Sequence, residues 1–223
     1  MTSAPEPQTV KVVLVEDHQM FREWLGQMLA KSDDFTICGE ADNIRDALRL
    51  MKETQPDIAI VDITLRGSSG LELIKDMKAQ GLEVPVLVLS MHEEALYAER
   101  VLRAGAKGYI TKHEATSTLA KAIRHVLSGQ VYLSDAMTSS VLEKMTRAGG
   151  RPVATGMDLL ADRELEVFQL IGRGFNTREI AEQLHLGEST VDTYRTRIKD
   201  KLQLRNAAEL YSRAAQWVQE HGA

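Results

Sequence analysis

The chain has 223 residues, of which 43% are hydrophobic and 26% charged, and its formal net charge at pH 7 is −5. This composition is typical of a globular protein with one large or two small domains, and it excludes a chain-wide basic character. No apolar run reaches the roughly 18 residues of a membrane span, the opening MTSAPEPQT is not organised as a signal peptide, and the single cysteine, Cys38, suits a reducing cytoplasm.

Apolar runs that predict strands alternate with helical patterns from Val10 onward, after a lead-in, residues 1–9, that we expect to be disordered. The predicted strands lie in VKVVLVED, TICGEA, IAIVD, VPVLVLS and KGYITK, and a segment with apolar residues at helical spacing follows each of them. Alternation of this kind predicts a parallel sheet that helices cover on both faces. The fold class expected for residues 10–130 is therefore α/β, with a doubly wound, five-stranded parallel sheet of the flavodoxin-like type.

Polar side chains stand where four of these predicted strands end. Glu16 and Asp17 end the first strand, Asp62 the third, Ser90 the fourth and Lys112 the fifth. Right-handed crossovers bring the carboxyl ends of parallel strands to one edge of the sheet, so these side chains are expected to meet there. Three carboxylates at one edge repel each other, and a hard cation such as Mg²⁺ would relieve the repulsion. The set suits phosphoryl chemistry, with a carboxylate as nucleophile.

Asp62 is the predicted nucleophile because it stands alone at the end of a central strand. Glu16 and Asp17 are adjacent in sequence, which suits metal binding instead. The alternative interpretation of any one of these acids is an ordinary strand-end carboxylate that faces solvent. The order and spacing of the whole set favour a site.

This first block resembles the response-regulator receiver domain of two-component signalling, through LVEDHQMFR, VDITLRGSSGLEL, VLS with Ser90, and KGYITK. The resemblance implies that a sensor histidine kinase phosphorylates Asp62. It implies Mg²⁺ held by Glu16, Asp17, Asp62 and the backbone carbonyl near Thr64, and a switch and phosphate-binding set of Ser90, Tyr109 and Lys112. Many receivers carry proline where this chain has Arg66 and His113, which bears on the flanking loops and not on the charged groups.

After Gly129 the alternation stops. Residues 131–157 are predicted to be a linker with a possible helix in SDAMTSSVLEKMTRA, because AGGRPVATG has no periodicity. Residues 158–223 have a helical pattern that predicts an all-α domain. Asn176 with Glu179, and Ser189 with Asp192, have capping-box spacing, and a turn at Gly187 joins the two helices as in a helix-turn-helix.

Basic residues are concentrated on the second of these helices, which carries Arg195, Arg197, Lys199 and Lys201, with Arg205 just beyond it. Local concentration of this kind is typical of a phosphate-contacting surface. The residues from 158 to 223 together contain 9 basic and 11 acidic residues, so the domain as a whole is not basic. The alternative interpretation is a solvated charged helix face.

The second block resembles the LuxR-type helix-turn-helix of NarL/FixJ response regulators, through Arg163-Glu164, Glu179-Ile180-Ala181, Thr190-Val191 and Lys201-Leu202, among others. By position, the resemblance implies that Asp192, Thr193 and Thr196 face base edges of double-stranded DNA. It places Arg195, Arg197 and Lys199 against phosphates, and Lys201 completes the predicted DNA-binding set. Ala161 replaces the usual cap of the first helix, so Asp162 is expected to cap it instead.

The last segment, NAAELYSRAAQWVQE, predicts an amphipathic helix with one stripe of Ala207, Leu210, Tyr211, Ala214 and Val218. In the family this helix pairs in a homodimer, whereas packing within its own domain is the alternative. Together these features predict a cytoplasmic two-domain transcription regulator that is not a dedicated enzyme and has no membrane partner. A flavin- or nucleotide-binding enzyme is one rival, although VEDHQMF lacks the Gly-rich loop it would need. A receiver that only dimerises is the other.

Overall fold

The computed structural model describes residues 9–66, 68–91, 95–135, 137–139 and 156–221. Nearly all of the predicted lead-in and most of the predicted linker, including most of its possible helix, lie outside these residues. The chain divides into two compact units, one made mainly of residues up to Met137 and the other mainly of residues from Thr138 onward. The exact domain boundaries predicted from the sequence stay predictions.

The first unit is built on a five-stranded sheet, and every neighbouring pair of its strands is parallel. Its strands are β1 (Val10–Val15), β2 (Phe35–Ala41), β3 (Ile58–Asp62), β6 (Val86–Ser90) and β7 (Gly108–Thr111), in the spatial order β2-β1-β3-β6-β7. Two further strands, β4 (Thr64–Leu65) and β5 (Ser68–Ser69), form a small antiparallel ladder after β3. The predicted five-stranded parallel sheet is therefore confirmed.

The strands are connected and covered by α1 (Gln19–Leu29), α2 (Ile44–Thr54), α3 (Gly70–Ala79), α4 (Ala95–Ala104) and α5 (Ala115–Leu127). One core cluster joins strand residues such as Leu14 and Ile60 to Leu25 of α1 and Ile123 of α5. Successive side chains on a strand point to opposite faces, and every residue of β3 and β6 is buried. The sheet is thus covered on both faces, as the continuous apolar runs predict.

The sheet has two local irregularities. The pairing register of β1 with β2 shifts between Val12 and Val13, which leaves Cys38 as the extra residue of a bulge. At the opposite edge, beyond α5, the Tyr132 carbonyl accepts a hydrogen bond from Tyr109 N, and Tyr132 N donates to the Lys107 carbonyl. Tyr132 belongs to the stretch predicted as linker, so the chain is still attached to the sheet where that stretch begins.

The second unit contains a short 3-10 turn (Gly156–Leu159) and then α6 (Asp162–Gly172), α7 (Thr177–Gln183), α8 (Glu188–Leu202) and α9 (Ala207–His221). Leu165, Phe168 and Ile180 are buried, and the rings of Phe168 and Trp217 meet edge to face at 6.1 Å. These helices confirm the predicted all-α class, and α7 and α8 are the predicted helix-turn-helix.

Two local predictions in this unit need correction. The N-cap of α8 is Gly187, not Ser189, and the left-handed residue of the turn is His185, with φ of 52°. The N-cap of α6 is Ala161, and its N–H donates to the Glu164 carboxylate at 2.7 Å, so Asp162 does not cap the helix. Glu164 thus makes the N3-to-N-cap half of a capping box, whereas an alanine cap has no side-chain oxygen to accept from the N3 N–H.

The predicted stripe of α9 is also only partly right. Leu210 and Ala214 are buried, but Ala207 and Tyr211 are exposed, and Trp217 is buried in their place. The helix turns its Leu210–Ala214–Trp217 side toward α6, where Trp217 meets Phe168. The large indole ring therefore determines the buried side more strongly than the small alanines do.

Among the described residues, no helix combines the length and the apolar character needed to cross a bilayer.

Candidate functional site

Three carboxylates lie together at the carboxyl edge of the sheet. Glu16 and Asp17 directly follow β1, and Asp62 is the last residue of β3, the strand that pairs with β1. Because Val15 is paired with Val61, Glu16 and Asp62 occupy neighbouring positions on adjacent strands. The exposed fractions of Glu16, Asp17 and Asp62 are 1%, 7% and 2%. The sequence prediction that these acids meet agrees with this geometry.

Lys112, which follows β7, reaches across to two of these acids. Its Nζ donates to Glu16 Oε2 at 2.7 Å and to Asp62 Oδ2 at 2.8 Å. The ammonium also lies 4.5 Å from the ring centroid of Phe21 on α1. Its side chain is 8% exposed, so this cation compensates buried negative charge and is not a solvated surface lysine.

The pKa values of both partners lie above their usual values, for different reasons. Burial and the neighbouring Glu16 carboxylate raise the pKa of Asp62 to about 8, although Lys112 acts to lower it. Burial would lower the pKa of the Lys112 ammonium, but the charges of Asp62 and Glu16 outweigh burial and hold it above its usual value. One cation is therefore insufficient for the acids around it, and a further positive charge would be stabilised here.

The donor set fits a divalent cation. Ligand atoms of Glu16, Asp17, His18 and Asp62 all lie within 4.8 Å of one another. The three carboxylates are hard oxygen ligands of the kind that Mg²⁺ prefers. Sequence reasoning did not include His18, whose Nδ1 lies 3.0 Å from Asp17 Oδ1 and 3.1 Å from Glu16 Oε1. Its position directly after the acidic pair was the available signal.

The loop after Asp62 fixes the orientation of that side chain. Thr64 N donates to Asp62 Oδ1 at 3.3 Å, and Thr64 is paired with Ser69 in the small ladder. A Cβ on Gly70 would lie 2.2 Å from the Asp62 carbonyl oxygen, so only glycine allows α3 to begin so close to the strand end. The role of the Thr64 carbonyl as a metal ligand stays a prediction.

Ser90 and Tyr109 are both buried, with exposed fractions of 0% and 1%. Ser90 ends β6, the strand between β3 and β7, which places it at the same edge as Asp62 and Lys112. Tyr109 lies on β7 opposite Val88, and its side chain is buried.

In the second unit, α8 presents a row of exposed side chains. Asp192, Thr193, Thr196 and Arg197 are exposed, and Lys199 is half-buried. The Thr193 hydroxyl donates to the Ser189 carbonyl at 2.9 Å, and the Thr196 hydroxyl to the Asp192 carbonyl at 3.1 Å. Each threonine oxygen keeps acceptor capacity toward solvent.

Two of the predicted DNA-binding cations are held by their own unit. Lys201 Nζ donates to the buried Glu164 carboxylate at 2.6 Å, which ties the end of α8 to the start of α6. Arg195 donates to Thr177 and to Tyr211. The linear pattern of basic residues could not distinguish these two from Arg197, because their acidic and hydroxyl partners are 16 to 37 positions away.

Comparisons with known proteins agree with both halves of this description. Residues 12–124 match the response regulator receiver domain family, and residues 158–214 match the family described as bacterial regulatory proteins, luxR family. The transcriptional regulatory protein DesR of Bacillus subtilis is 32% identical over 206 residues, which cover 92% of this chain and 96% of DesR.

Solved structures give the same result. A LuxR-family two-component response regulator from Aurantimonas sp. SI85-9A1 is 29% identical, with a TM-score of 0.59 over 62% of this chain and 99% of that chain. RcsB from Salmonella enterica serovar Typhimurium, solved with promoter DNA and a phosphomimetic, has the same TM-score over 93% of this chain and 99% of its own. At 22% identity, RcsB supports the fold alone.

The two resemblances inferred from sequence motifs are confirmed by these matches, which together span both compact units. The chain belongs to the response-regulator family, as a DNA-binding transcriptional regulator that joins a receiver domain to a helix-turn-helix domain of the LuxR family.

Proposed function

We propose that Asp62 accepts a phosphoryl group from a sensor histidine kinase, and that phosphorylation controls dimerisation and promoter binding. The observation that carries this proposal is the buried arrangement of Glu16, Asp62 and Lys112, in which one ammonium bridges two carboxylates at 2.7 and 2.8 Å. Buried charge is costly, and the position at the carboxyl edge of a parallel sheet is typical of a functional site.

In the proposed reaction, an oxygen of the Asp62 carboxylate forms a bond to phosphorus as the P–N bond of a phosphohistidine breaks. The leaving imidazole takes up a proton, and Asp62 becomes an acyl phosphate. Only the deprotonated carboxylate is a nucleophile, and burial works against that form here. Lys112 favours the carboxylate and can then hold an oxygen of the phosphoryl group.

Mg²⁺ is the proposed cofactor, held by Glu16, Asp17, Asp62 and the backbone carbonyl of Thr64. When bound, the ion supplies positive charge that lowers the pKa of Asp62 and neutralises phosphoryl oxygens. Glu16 and Asp17 face the acceptor from the neighbouring strand, so their contribution is to bind and orient. The oxygen-rich donor set supports this choice of ion.

Ser90 and Tyr109 are the proposed switch pair. A phosphoryl group on Asp62 brings new oxygens that recruit donors, and Ser90 is the hydroxyl at the end of the adjacent strand β6. The Tyr109 ring is already 1% exposed in this structure, so in this proposal the movement of that hydroxyl holds the ring in its inward position rather than an outward one. The face that includes β7 then differs between the two phosphorylation states.

For DNA, we propose that α8 enters the major groove, with Asp192, Thr193 and Thr196 toward base edges and Arg197 and Lys199 toward phosphates. The exposure of Thr193, Thr196 and Arg197 supports this orientation. A homodimer would read two half-sites related by near two-fold symmetry. We place this regulator in the cytoplasm, without a dedicated enzymatic activity.

The test is phosphorylation of the full chain by acetyl phosphate in the presence of Mg²⁺. We expect stoichiometric labelling of the wild type, no labelling of Asp62→Asn, and DNA binding that strengthens with the donor in the wild type only. Asp76→Asn is the matched control, because Asp76 is an exposed carboxylate on α3. Equal labelling or an equal DNA response in Asp62→Asn would contradict the proposal.

A further inference from the structure

Arg195 is a cation of the proposed recognition helix that is engaged inside its own domain. Its Nη1 donates to Thr177 Oγ1 at 2.5 Å, and its Nη2 donates to the Tyr211 hydroxyl at 2.5 Å. A third partner, the Asp192 carboxylate, lies 3.7 Å from Nη1, and the Arg195 side chain is only 18% exposed. Arg197, two positions further along α8, is exposed. The two arginines therefore differ in the surface they can offer to DNA.

The contacts of Arg195 join three helices. Thr177 is the first residue of α7, Arg195 lies in the middle of α8, and Tyr211 lies in the second turn of α9. The Arg195 guanidinium carbon is also 5.2 Å from the centroid of the Tyr211 ring, within the range of a cation–π contact. A planar guanidinium holds its donors in a rigid fork, so it restrains both the distance and the angle between the groups it joins.

The angle of α8 matters for sequence readout because α8 and α9 both pack on α6 and each could tilt on it. Base edges are read only where side chains such as Thr193 and Thr196 come within hydrogen-bond distance of them. Contacts to phosphates are less demanding, because they carry no sequence information and fix only the register. A small tilt of α8 should thus weaken binding to a specific sequence more than binding to unrelated DNA.

We propose that Arg195, Thr177 and Tyr211 are positioning residues that set the angle of α8 for sequence readout, and that Arg195 does not neutralise a phosphate. This inference rests on the DNA-binding function proposed above. It adds that α9, on which Tyr211 lies, takes part in sequence discrimination through a side chain that need not touch DNA.

The experiment uses the full-length protein, acetyl phosphate and Mg²⁺, with a duplex that the wild type selects from a random-sequence pool and a scrambled duplex of the same composition. We expect Tyr211→Phe and Thr177→Val each to weaken binding to the selected duplex about three- to tenfold, since each removes one acceptor from a charged donor. Binding to the scrambled duplex should change less than twofold, and the dependence on salt should stay as in the wild type.

Three further variants sharpen the comparison. Thr177→Ser keeps the acceptor oxygen and should bind like the wild type. Arg195→Gln should lose affinity for the selected duplex without a change in the slope of log affinity against log salt concentration. Arg197→Gln should lower that slope by about 1.8, because the dimer loses two phosphate contacts at about 0.9 each. Melting temperatures of all variants identify any that fail to fold. The pair Thr177→Ser and Thr177→Val tests the acceptor oxygen at a single position, because only the second variant removes it.

The inference is overturned if Arg195→Gln lowers the salt slope as Arg197→Gln does, or if Tyr211→Phe and Thr177→Val both leave the ratio of specific to scrambled affinity unchanged. A wild-type protein that enriches no sequence at all would overturn the proposed function together with this inference. If the wild type selects a sequence and the variants lose the preference for it over the scrambled duplex, the positioning role is supported.

Discussion

At the scale of single residues, the main electrostatic feature of the receiver domain is one buried carboxyl group, that of Asp62. Asp62 is 2% exposed and lies beside Glu16, and these two circumstances raise its pKa to about 8. Lys112 compensates part of the negative charge from the far strand of the sheet. Added positive charge would therefore stabilise the site, which is the physical reason that a divalent cation and a phosphoryl-transfer reaction suit it.

A stability measurement across pH tests this burial. The folded pKa of Asp62 is about 8 and its unfolded value is about 3.9, so between these values the folded state binds more protons. The free energy of unfolding contributed by Asp62 should then fall as pH rises through that window. The measurement is urea denaturation with a chelator present. From about pH 5 to about pH 8, we expect the free energy of unfolding of the wild type to fall by on the order of 3 kcal/mol relative to that of Asp62→Asn.

The same measurement has an internal control in Mg²⁺. Because Mg²⁺ competes with the proton for the Asp62 carboxylate, its stabilising effect on the wild type should be larger at about pH 8 than at about pH 5. A stability difference between the two proteins that does not depend on pH would contradict a strongly raised pKa for this group.

At the scale of helices and strands, two close approaches of backbone determine where functional elements lie. A Cβ on Gly70 would meet the Asp62 carbonyl at 2.2 Å, and a Cβ on Gly172 would meet the Ala214 carbonyl at 2.4 Å. The first contact sets the start of α3 against Asp62, and the second sets the separation of α6 and α9. Gly70 is the first residue of α3 and Gly172 the last residue of α6. From sequence alone, a glycine at either place would be interpreted simply as a helix boundary.

Replacing Gly172 with alanine should therefore destabilise the second domain. The added methyl group would also lie 2.6 Å from Val218 Cγ2, and overpacking of this kind costs about 1–3 kcal/mol. The gain of about 1 kcal/mol from replacing a helical glycine offsets only part of that cost. We expect a lower melting temperature for the transition of the second domain, measured by calorimetry.

Gly26→Ala is the matched control, because Gly26 lies within α1 and its Cβ would meet Ile37 Cδ1 at 3.4 Å, an ordinary contact. This variant should be neutral or slightly stabilising. A Gly172→Ala protein as stable as Gly26→Ala would show that α6 and α9 can separate without cost.

At the scale of the whole molecule, the net charge of −5 conceals a local basic surface. Arg197 and Arg205 are exposed on and just beyond α8, and Lys199 is half-buried there. The rest of the chain is acidic on balance and repels DNA over distances longer than a few ångströms in dilute salt. In the proposed mode of binding, association with DNA therefore depends on short-range contacts made by this surface and not on a general attraction.

This charge distribution predicts a steep dependence of DNA binding on salt. A dimer that uses about three cations of each protomer would make about six phosphate contacts, and its affinity should fall roughly a thousandfold between about 50 and about 200 mM salt. Fluorescence anisotropy of a labelled promoter duplex measures this slope. A flat response would mean that the basic side chains of α8 do not meet phosphates.

Much of the candidate site could be predicted because its residues stand at strand ends, and the parallel topology that the apolar runs predict brings such ends together. Glu16, Asp62 and Lys112 belong to this class. The place of His18 beside the acids, the closeness of Gly70 to Asp62 and the engagement of Arg195 and Lys201 did not follow from the pattern. Each depends on a contact between segments that no periodicity relates.

The sequence by itself determined the fold class, the order of the elements and the family, because burial of apolar side chains at periods of 2 and 3.6 residues leaves a direct record in the chain. The tertiary structure alone decided which cations of α8 are exposed, which glycines tolerate no side chain and which side of α9 is buried. These depend on distances between atoms far apart in sequence, such as Lys201 Nζ and the Glu164 carboxylate at 2.6 Å, and packing sets such distances only after the chain has folded.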